Sequence, residues 1–298
     1  MKKLLICDTS ALFFRGRSAL TRTMGQMTTS YGATVTGTFA YLNTLLSLME
    51  RDHYDCVVHC TEGGNNWRKK NCENYKSNRE KNDQSFFPDM SLLVGDVLPT
   101  LGMTPVSVST FEADDIIATI SRNAQAFDEI HIATVDTDLL QLVSNKVKVI
   151  MFSSTKRMKL YDIDGVLEKY GIYPSEVKYW KSLCGDLSDN IAGIKGIGPK
   201  TAVKIIEESR PESVVNPNLS GADRIALHPK VVKNAHTFLL NLRVITLEGD
   251  VPGVVWFASS SPEPKLVESI LTTLEFKSML RRLPKILKTL GAAAKEPV

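Results

Sequence analysis

The sequence lacks the features that would mark a membrane, secreted or thiol-dependent protein. Among its 298 residues the opening apolar run is only Leu4 to Cys7 before Asp8 ends it, too short for a signal-peptide core or a membrane span. Cysteine is sparse and odd in number: Cys7, Cys56, Cys60, Cys72 and Cys184. Cys56 and Cys60 lie near His53 and His59 but have no second Cys or His pair at zinc spacing. They read as reduced thiols in strand or core positions, as expected of a cytoplasmic protein. There is no G-x-S-x-G, no P-loop and no Cys/His pair with an orienting partner, which disfavours esterase, ATPase and thiol-enzyme chemistry. Neither sign of charge dominates: the net charge is +3, with 43% hydrophobic and 23% charged residues, ordinary values for a soluble globular chain. The length suits one large domain or two modest ones.

Against that background one stretch stands out, Gly185 to Ile206, GDLSDNIAGIKGIGPKTAVKII. Asp186 and Asp189 are three apart, so on one helical turn they would share a face. Gly193, Gly196 and Gly198 permit a tight hairpin with N–H groups turned outward, and Pro199 suits the first turn of a following helix. Outward N–H groups at a helix start, beside Lys195, Lys200, Thr201 and Lys204, form a seat for phosphate. A glycine turn between packed helices with solvated lysines is the simpler reading of the glycines alone. The adjoining acidic pair makes the signal more specific.

Other carboxylates recur at the ends of predicted strands. Leu4 to Cys7 reads as a buried parallel strand ending at Asp8, where open α/β sheets place their sites; alone, Asp8 also reads as a helix N-cap. Cys56 to Cys60 is a second strand, ending near Glu62. Glu112, Asp114 and Asp115 precede the apolar run Ile116, Ile117, Ile120. A helix start explains one or two of these acids but three together favour a divalent cation. His131 to Val135 is a further strand, ending at Asp136 and Asp138, and Val147 to Phe152 another. An all-oxygen ligand set suits Mg²⁺ or Mn²⁺ and argues against zinc. Two such ions could serve phosphodiester hydrolysis.

Other segments are expected as follows. Arg15, Arg17 and Arg22 fall in a Thr/Ser/Gly-rich segment read as a loop, and Thr36 to Met49 is a core helix. Residues 68–84 carry six cations against three anions with little apolar periodicity, and Tyr75 there could stack a base. Met90 to Leu101 is a helix and Thr104 to Val108 a short strand. Helices follow over Asp164 to Tyr170 and Pro174 to Cys184, then a loop-rich Pro211 to Pro229 and a helix over Val231 to Leu242. Leu274 to Leu290 is an amphipathic basic helix interrupted before Pro284, either touching duplex or simply solvated, and Gly291 to Val298 is a frayed tail.

The stretch GDLSDNIAGIKGIGPKTA, together with Glu-Ala-Asp-Asp at 112–115, the TxDxDLLQL pattern at 134–142 and the YKSNR cluster at 75–79, resembles the 5′-nuclease (flap endonuclease) family over roughly Lys3 to Leu283. That family includes bacteriophage 5′-to-3′ exonucleases and the 5′-nuclease domain of bacterial repair polymerases. No polymerase-like segment follows, so the likeness is to the free-standing phage type. The resemblance implies an α/β fold, a mostly parallel central sheet flanked by helices (a PIN-like core), with a C-terminal helical helix-hairpin-helix region. The expected division is 1–170 for the catalytic core, with a basic arch at about 68–88, and 171–298 for the helical region, with the hairpin at about 182–206. It implies metal ligation by Asp8, Glu62 (where the family has an aspartate), Glu112, Asp114, Asp115, Asp136, Asp138, Asp186 and Asp189, with Asp8 and Asp115 catalytic. It places Lys76 and Arg79 over the scissile phosphate, and Tyr75, Gly193, Lys195, Gly196, Gly198, Lys200, Thr201 and Lys204 against DNA. Two or more Mg²⁺ or Mn²⁺ ions, and K⁺ at the hairpin, are implied cofactors. The implied partner is duplex DNA with a 5′ end or single-stranded flap, or an RNA–DNA hybrid, bound by a monomer with no membrane involvement. A catalytically weak flap-binding homologue and a metal-dependent ribonuclease on a related fold remain alternatives.

Overall fold

The computed structural model describes residues 1–64, 66–72, 74–78, 85–152, 158–211, 219–257 and 259–293. Six strands build the central sheet: β1 (Lys3–Asp8), β2 (Cys56–Cys60), β3 (Pro105–Val106), β4 (Glu129–Thr134), β5 (Val147–Phe152) and β6 (Met158–Tyr161). Their order is β3-β2-β1-β4-β5-β6. All neighbours pair in parallel except β6, which runs antiparallel to β5 at the edge. The chain winds outward from β1 in both directions, so β1 and β4 flank the switch point, where a crevice opens at the carboxyl ends of the strands.

The strands are apolar on both faces, as a sheet covered on both sides requires. Leu4 and Ile6 join one core with Ile116, Ile117 and Ile120. Leu5 and Cys7, alternating with them, join the other with Leu12, Phe13, Leu42 and Leu45. The first core continues into the helical region through Leu183, Ile194, Ile197, Ile205 and Phe238. The second continues into the C-terminal helices through Val267, Leu271, Ile286 and Leu290.

Several expected elements differ. The arginine-bearing segment after β1 is not a loop but helix Thr9–Met24. Asp8 caps it, and Leu12, Phe13 and Ala19 bury one face; the arginines between them obscure that periodicity. Within the loop-rich stretch lies helix Gly221–Leu227, capped by Ser220, and residues 212–218 are outside the described set. Pro264–Thr273 is a helix that was not anticipated. The basic C-terminal helix begins at Lys277, after Glu275 with a φ of 59°, rather than at Leu274, and is interrupted at Arg281 and Arg282 before Pro284, as expected, into Lys277–Leu280 and Leu283–Ala292. It packs on helix Thr36–Arg51, where Lys285 pairs with Glu50 at 2.9 Å and Arg282 bonds the same carboxylate. Of the expected frayed tail, Gly291 and Ala292 are helical and 294–298 lie outside the described residues. No helix among the described residues is long and apolar enough to cross a membrane.

Helix Thr36–Arg51 begins at Val35, which offers no capping side chain. Its cap comes from far along the chain. The fully buried Asp89 accepts from Gly37 N at 2.6 Å, Thr38 N at 3.0 Å and Thr38 Oγ1 at 2.7 Å. Removing it leaves buried donors unpaired. Asp89→Ala should lower stability by about 3 kcal/mol, the sum of a lost cap and an unsatisfied buried group. Asp89→Asn, which keeps one acceptor, should cost less; the two midpoints of urea unfolding give the comparison.

Candidate active site and nucleic-acid interface

At the switch point the strand ends open into a cleft of about 850 Å³ whose walls carry Asp8, Glu62, Glu112, Asp114 and Asp136, together with Lys69, Lys76, Arg15 and Phe14. Each carboxylate reaches it from a different element. Asp8 ends β1 and caps the next helix, its Oδ1 accepting from Ala11 N at 3.2 Å; Thr134 Oγ1 donates to its Oδ2 at 2.7 Å. The cap and the cleft position are thus the same residue, and the two readings of Asp8 do not exclude each other. Thr134 also accepts from Asp136 N at 2.9 Å, so one hydroxyl sets the loop that follows β4. Glu62 is held by backbone zippering of its loop to 106–111. Gly63 N donates to Phe111 O at 3.1 Å, and a Cβ at Gly63 would stand 1.7 Å from Val108 O. Glu112 and Asp114 come from the start of helix Ala113–Asn123.

Burial without sufficient countercharge governs the cleft. Burial pushes Asp8 up to about 7, against the Thr134 and Ala11 hydrogen bonds, with Asp136 and Glu62 adding to the rise. Burial also raises Asp114 well above the usual carboxylate range, and Asp136 and Asp8 push it further. Glu112 behaves differently. Burial raises it, but Lys76 and Arg68 hold it below its ordinary value.

Four of the expected ligands stand outside the cleft lining. Asp115 is fully buried and takes a bidentate ion pair from Arg68, with Nη1 at 2.6 Å and Nη2 at 2.7 Å. Its carboxylate therefore turns away from the cleft that its neighbour Asp114 lines. Asp138 and Asp186 share Lys181, which lies 2.8 Å from Asp186. Burial pushes Asp138 up to about 7 in spite of that lysine; at Asp186 the lysine and Ser188 outweigh burial and hold the group low. Asp189 accepts from Tyr75 Oη at 3.0 Å. Asp186 and Asp189 do not share a helical turn. Asp186 lies in a two-residue strand, Gly185–Asp186, paired antiparallel with Ile191–Ala192, and Asp189 lies in the turn between them. Their side chains accordingly reach different partners.

Tyr75 is not a free stacking ring. It is buried, and its hydroxyl sits between Glu112 at 2.8 Å and Asp189 at 3.0 Å. Lys76 Nζ bonds Glu112 and stands 3.9 Å from Asp189, while its backbone N–H donates to Asp189 O at 2.9 Å. Arg79 lies outside the described residues. Arg68, Lys181 and Thr134 are site residues that sequence reasoning missed. Thr134 had a signal in its spacing to Asp136; Arg68 had one in the aromatic–arginine pair Trp67-Arg68 after Glu62, but its acidic partners, more than 40 residues away, were not legible.

The hairpin forms as its glycines suggest. A Cβ on Gly193 would stand 2.3 Å from Cys184 O, so only glycine lets the ribbon close on the end of helix Val177–Cys184. Ile194 N donates to Leu183 O at 2.8 Å, and Ile194 and Ile197 bury into the core. Gly196 and Gly198 lead into helix Pro199–Glu208, whose first-turn N–H groups have no helical partner. Lys195 and Lys200 are exposed beside them, with Thr201 half-buried. Lys204 is one turn further on, 3.7 Å from Glu208.

At the opposite end of the sheet Asp52, Glu129 and His131 bring one ligand atom each within 4.8 Å of one another. Lys3 already stands there, 2.8 Å from Asp52 and 3.4 Å from Glu129.

A carboxylate-lined cleft at the strand ends of an α/β sheet, beside a helical hairpin with exposed lysines, defines the class of site. Residues 3–171 match the family model described as the 5′-3′ exonuclease N-terminal resolvase-like domain, and residues 172–265 match the 5′-3′ exonuclease C-terminal SAM fold. The chain belongs to the 5′-3′ exonuclease family. It is 31% identical over 257 residues to the thermostable DNA polymerase I of Thermus thermophilus, covering 85% of this chain and 30% of that protein. It is 32% identical over 220 residues to a 5′-3′ exonuclease of Bacillus subtilis, covering 73% of this chain and 74% of that one. The chain thus spans about a third of the curated polymerases it matches. Among solved structures, T5 5′-exonuclease bound to divalent zinc superposes with a TM-score of 0.63 at 19% identity, over 98% of this chain and all of that one. Flap endonuclease-1 from Methanococcus jannaschii superposes with a TM-score of 0.60 at 15% identity, over 98% and 93%.

The carboxylate shifts predict a pH dependence of stability. In the folded protein Asp8 and Asp138 titrate near 7, against about 3.9 for an unfolded aspartate. The native state therefore holds protons that the unfolded chain releases. This contribution is complete below about pH 4 and is lost as the pH rises through 7. Glu112 and Asp186, held low, act only on the acid side, where their contribution is lost below about pH 4. Thermal melts in chelator should therefore show Tm falling from pH 5 to 7.5, and Mg²⁺ should restore most of the loss at pH 7.5. A flat profile in chelator would mean that the cleft charges are already compensated within the protein.

Proposed function

We propose that this chain is a divalent-metal-dependent 5′ nuclease that hydrolyses DNA phosphodiesters at 5′ ends and at flap or fork junctions, as in removing RNA primers or flaps during replication. The single observation that carries the reading is the convergence of five carboxylates, from three strand ends and a helix start, in a cleft joined to the hairpin through Tyr75 and Lys76. The donor set fits Mg²⁺ or Mn²⁺: it is all oxygen, and Asp8 and Asp114 are held under uncompensated negative charge. Two ions held there would supply an activated water and charge stabilisation at the leaving oxygen.

In this reading Asp8, Glu62, Glu112, Asp114 and Asp136 hold the ions, and Thr134 fixes the orientation of Asp8. Asp138 and Asp186 join the set only when Lys181 moves from between them; otherwise they fix that lysine at the rim. Lys76, anchored on Glu112, presents its ammonium to the reacting phosphate, a role the sequence pattern also assigns to Arg79. Lys195, Lys200 and the first-turn N–H groups grip the duplex backbone, a contact that positions without reading sequence. The substrate is duplex DNA with a 5′ end or flap, with an RNA–DNA hybrid as a second substrate, acted on by a cytoplasmic monomer, with K⁺ seated at the hairpin.

A 5′-flap DNA substrate, with single-stranded RNA as control, tests the reading. Cleavage of the flap should require Mg²⁺ or Mn²⁺ and stop with EDTA. Asp114→Asn should lower the single-turnover rate by about 100-fold or more, the scale of losing a preorganised electrostatic contact, while the flap stays bound. Equal cleavage in EDTA would overturn the metal assignment, and cleavage of the RNA alone would reassign the substrate. Lys200→Ala should weaken all duplex sequences alike and reduce the slope of log K against log salt by about 1. A slope unchanged by that substitution would remove Lys200 from the interface.

A further inference from the structure

Arg68, on the short helix Trp67–Asn71, is only 2% exposed and lies behind the cleft wall. All five of its N–H groups have acceptors. Nε donates to Val244 O at 2.7 Å. Nη1 donates to Glu112 at 3.0 Å and Asp115 at 2.6 Å, and Nη2 to Asp115 at 2.7 Å and Thr246 O at 3.3 Å. Val244 and Thr246 lie at the end of helix Ala235–Ile245, where carbonyls have no helical partner. That helix packs along Val177–Cys184, the first helix of the hairpin. From it Asn241 Nδ2 donates to Ser182 O at 3.0 Å and to Ala192 O at 2.8 Å, in the hairpin's helix and ribbon. One guanidinium is thus bonded at once to the wall of the cleft and to the helix packed against the hairpin.

We infer that Arg68 and Asn241 are positioning residues that set the spacing between cleft and hairpin, and so select which phosphodiester is cut. The inference rests on the nuclease reading. A duplex gripped at the hairpin is delivered to the cleft as a rigid body. Successive nucleotides on one strand advance only about 3.4 Å along the axis, so a small change in that spacing moves the register by one bond. Misplacement by about 1 Å costs on the order of 100-fold in rate. Lysine cannot replace Arg68, because a point ammonium cannot span Asp115 and two carbonyls in one plane.

The test uses the full chain with Mg²⁺ and an end-labelled 5′-flap DNA of fixed sequence, with products resolved to single nucleotides. The wild type should give one dominant product. Asn241→Ala and Arg68→Lys should each spread the cuts over neighbouring bonds and lower the single-turnover rate at the original bond by about 10- to 100-fold. Affinity for the flap and its salt slope should be unchanged, because the hairpin lysines are intact. Should Arg68→Lys fail to fold, Asn241→Ala, a half-buried uncharged position, decides alone. Cleavage by the wild type with the same product pattern in the folded variants, even with a lower Tm, overturns this inference while leaving the nuclease reading intact. No cleavage by the wild type overturns the nuclease reading, and this inference with it.

Discussion

Negative charge gathered at the carboxyl ends of β1 and β4 is the constraint on which the rest of the structure depends. A buried carboxylate is costly unless it is paired and hydrogen-bonded, and this end of the sheet holds Asp8, Glu112, Asp115, Asp138 and Asp189, all buried. The chain answers with cations from two separate segments. Arg68 serves Glu112 and Asp115, Lys76 serves Glu112, and Lys181 serves Asp138 and Asp186. Among the described residues Asp8 and Asp114 have no ion pair of their own, and burial drives their carboxyls upward, as it does that of Asp138 in spite of Lys181. The cleft lining takes both kinds: Glu112 stands there under the charge of Lys76 and Arg68, while Asp8 and Asp114 stand there without an ion pair of their own among the described residues.

The same ion pairs join the cleft to the hairpin. The compensating groups do not come from the cleft's own strands. Tyr75 and Lys76 tie the basic segment to Asp189 at the hairpin, and Arg68 ties the cleft wall to the end of helix Ala235–Ile245. Neutralising the acids and fixing the relative position of two regions are therefore done by the same side chains. The C-terminal helices have another task. They close the second face of the sheet with Val267, Leu271 and Ile286, and their Arg282 and Lys285 lie with Glu50.

Much was legible in the sequence because it was local. Apolar runs of four to six residues ending in Asp or Glu gave strands with carboxylates at their ends, and β2 and β5 match their expected limits residue for residue. The hairpin was legible because close backbone approach demands glycine at given positions, as at Gly193. Helix Thr9–Met24 was not legible, because Arg15 and Arg17 interrupt the apolar pattern, and the residues that bury its face come from helix Thr36–Arg51.

By itself the sequence determined which carboxylates exist, that most of them end strands or begin helices, and that a glycine hairpin follows. It did so through short-range rules of strand period, capping and turn geometry. Only the tertiary structure decided which of those acids share a cavity. Asp114 and Asp115 are adjacent, yet one faces the cleft and the other faces Arg68, because successive residues on a helix point about 100° apart and the partner that selects between them is brought from another part of the chain. Lys181 and Tyr75 made the same kind of choice for Asp186 and Asp189. Ion pairing across long sequence separations leaves no periodic trace, so which acids line the cleft and which stand outside its lining appears only once the chain is folded.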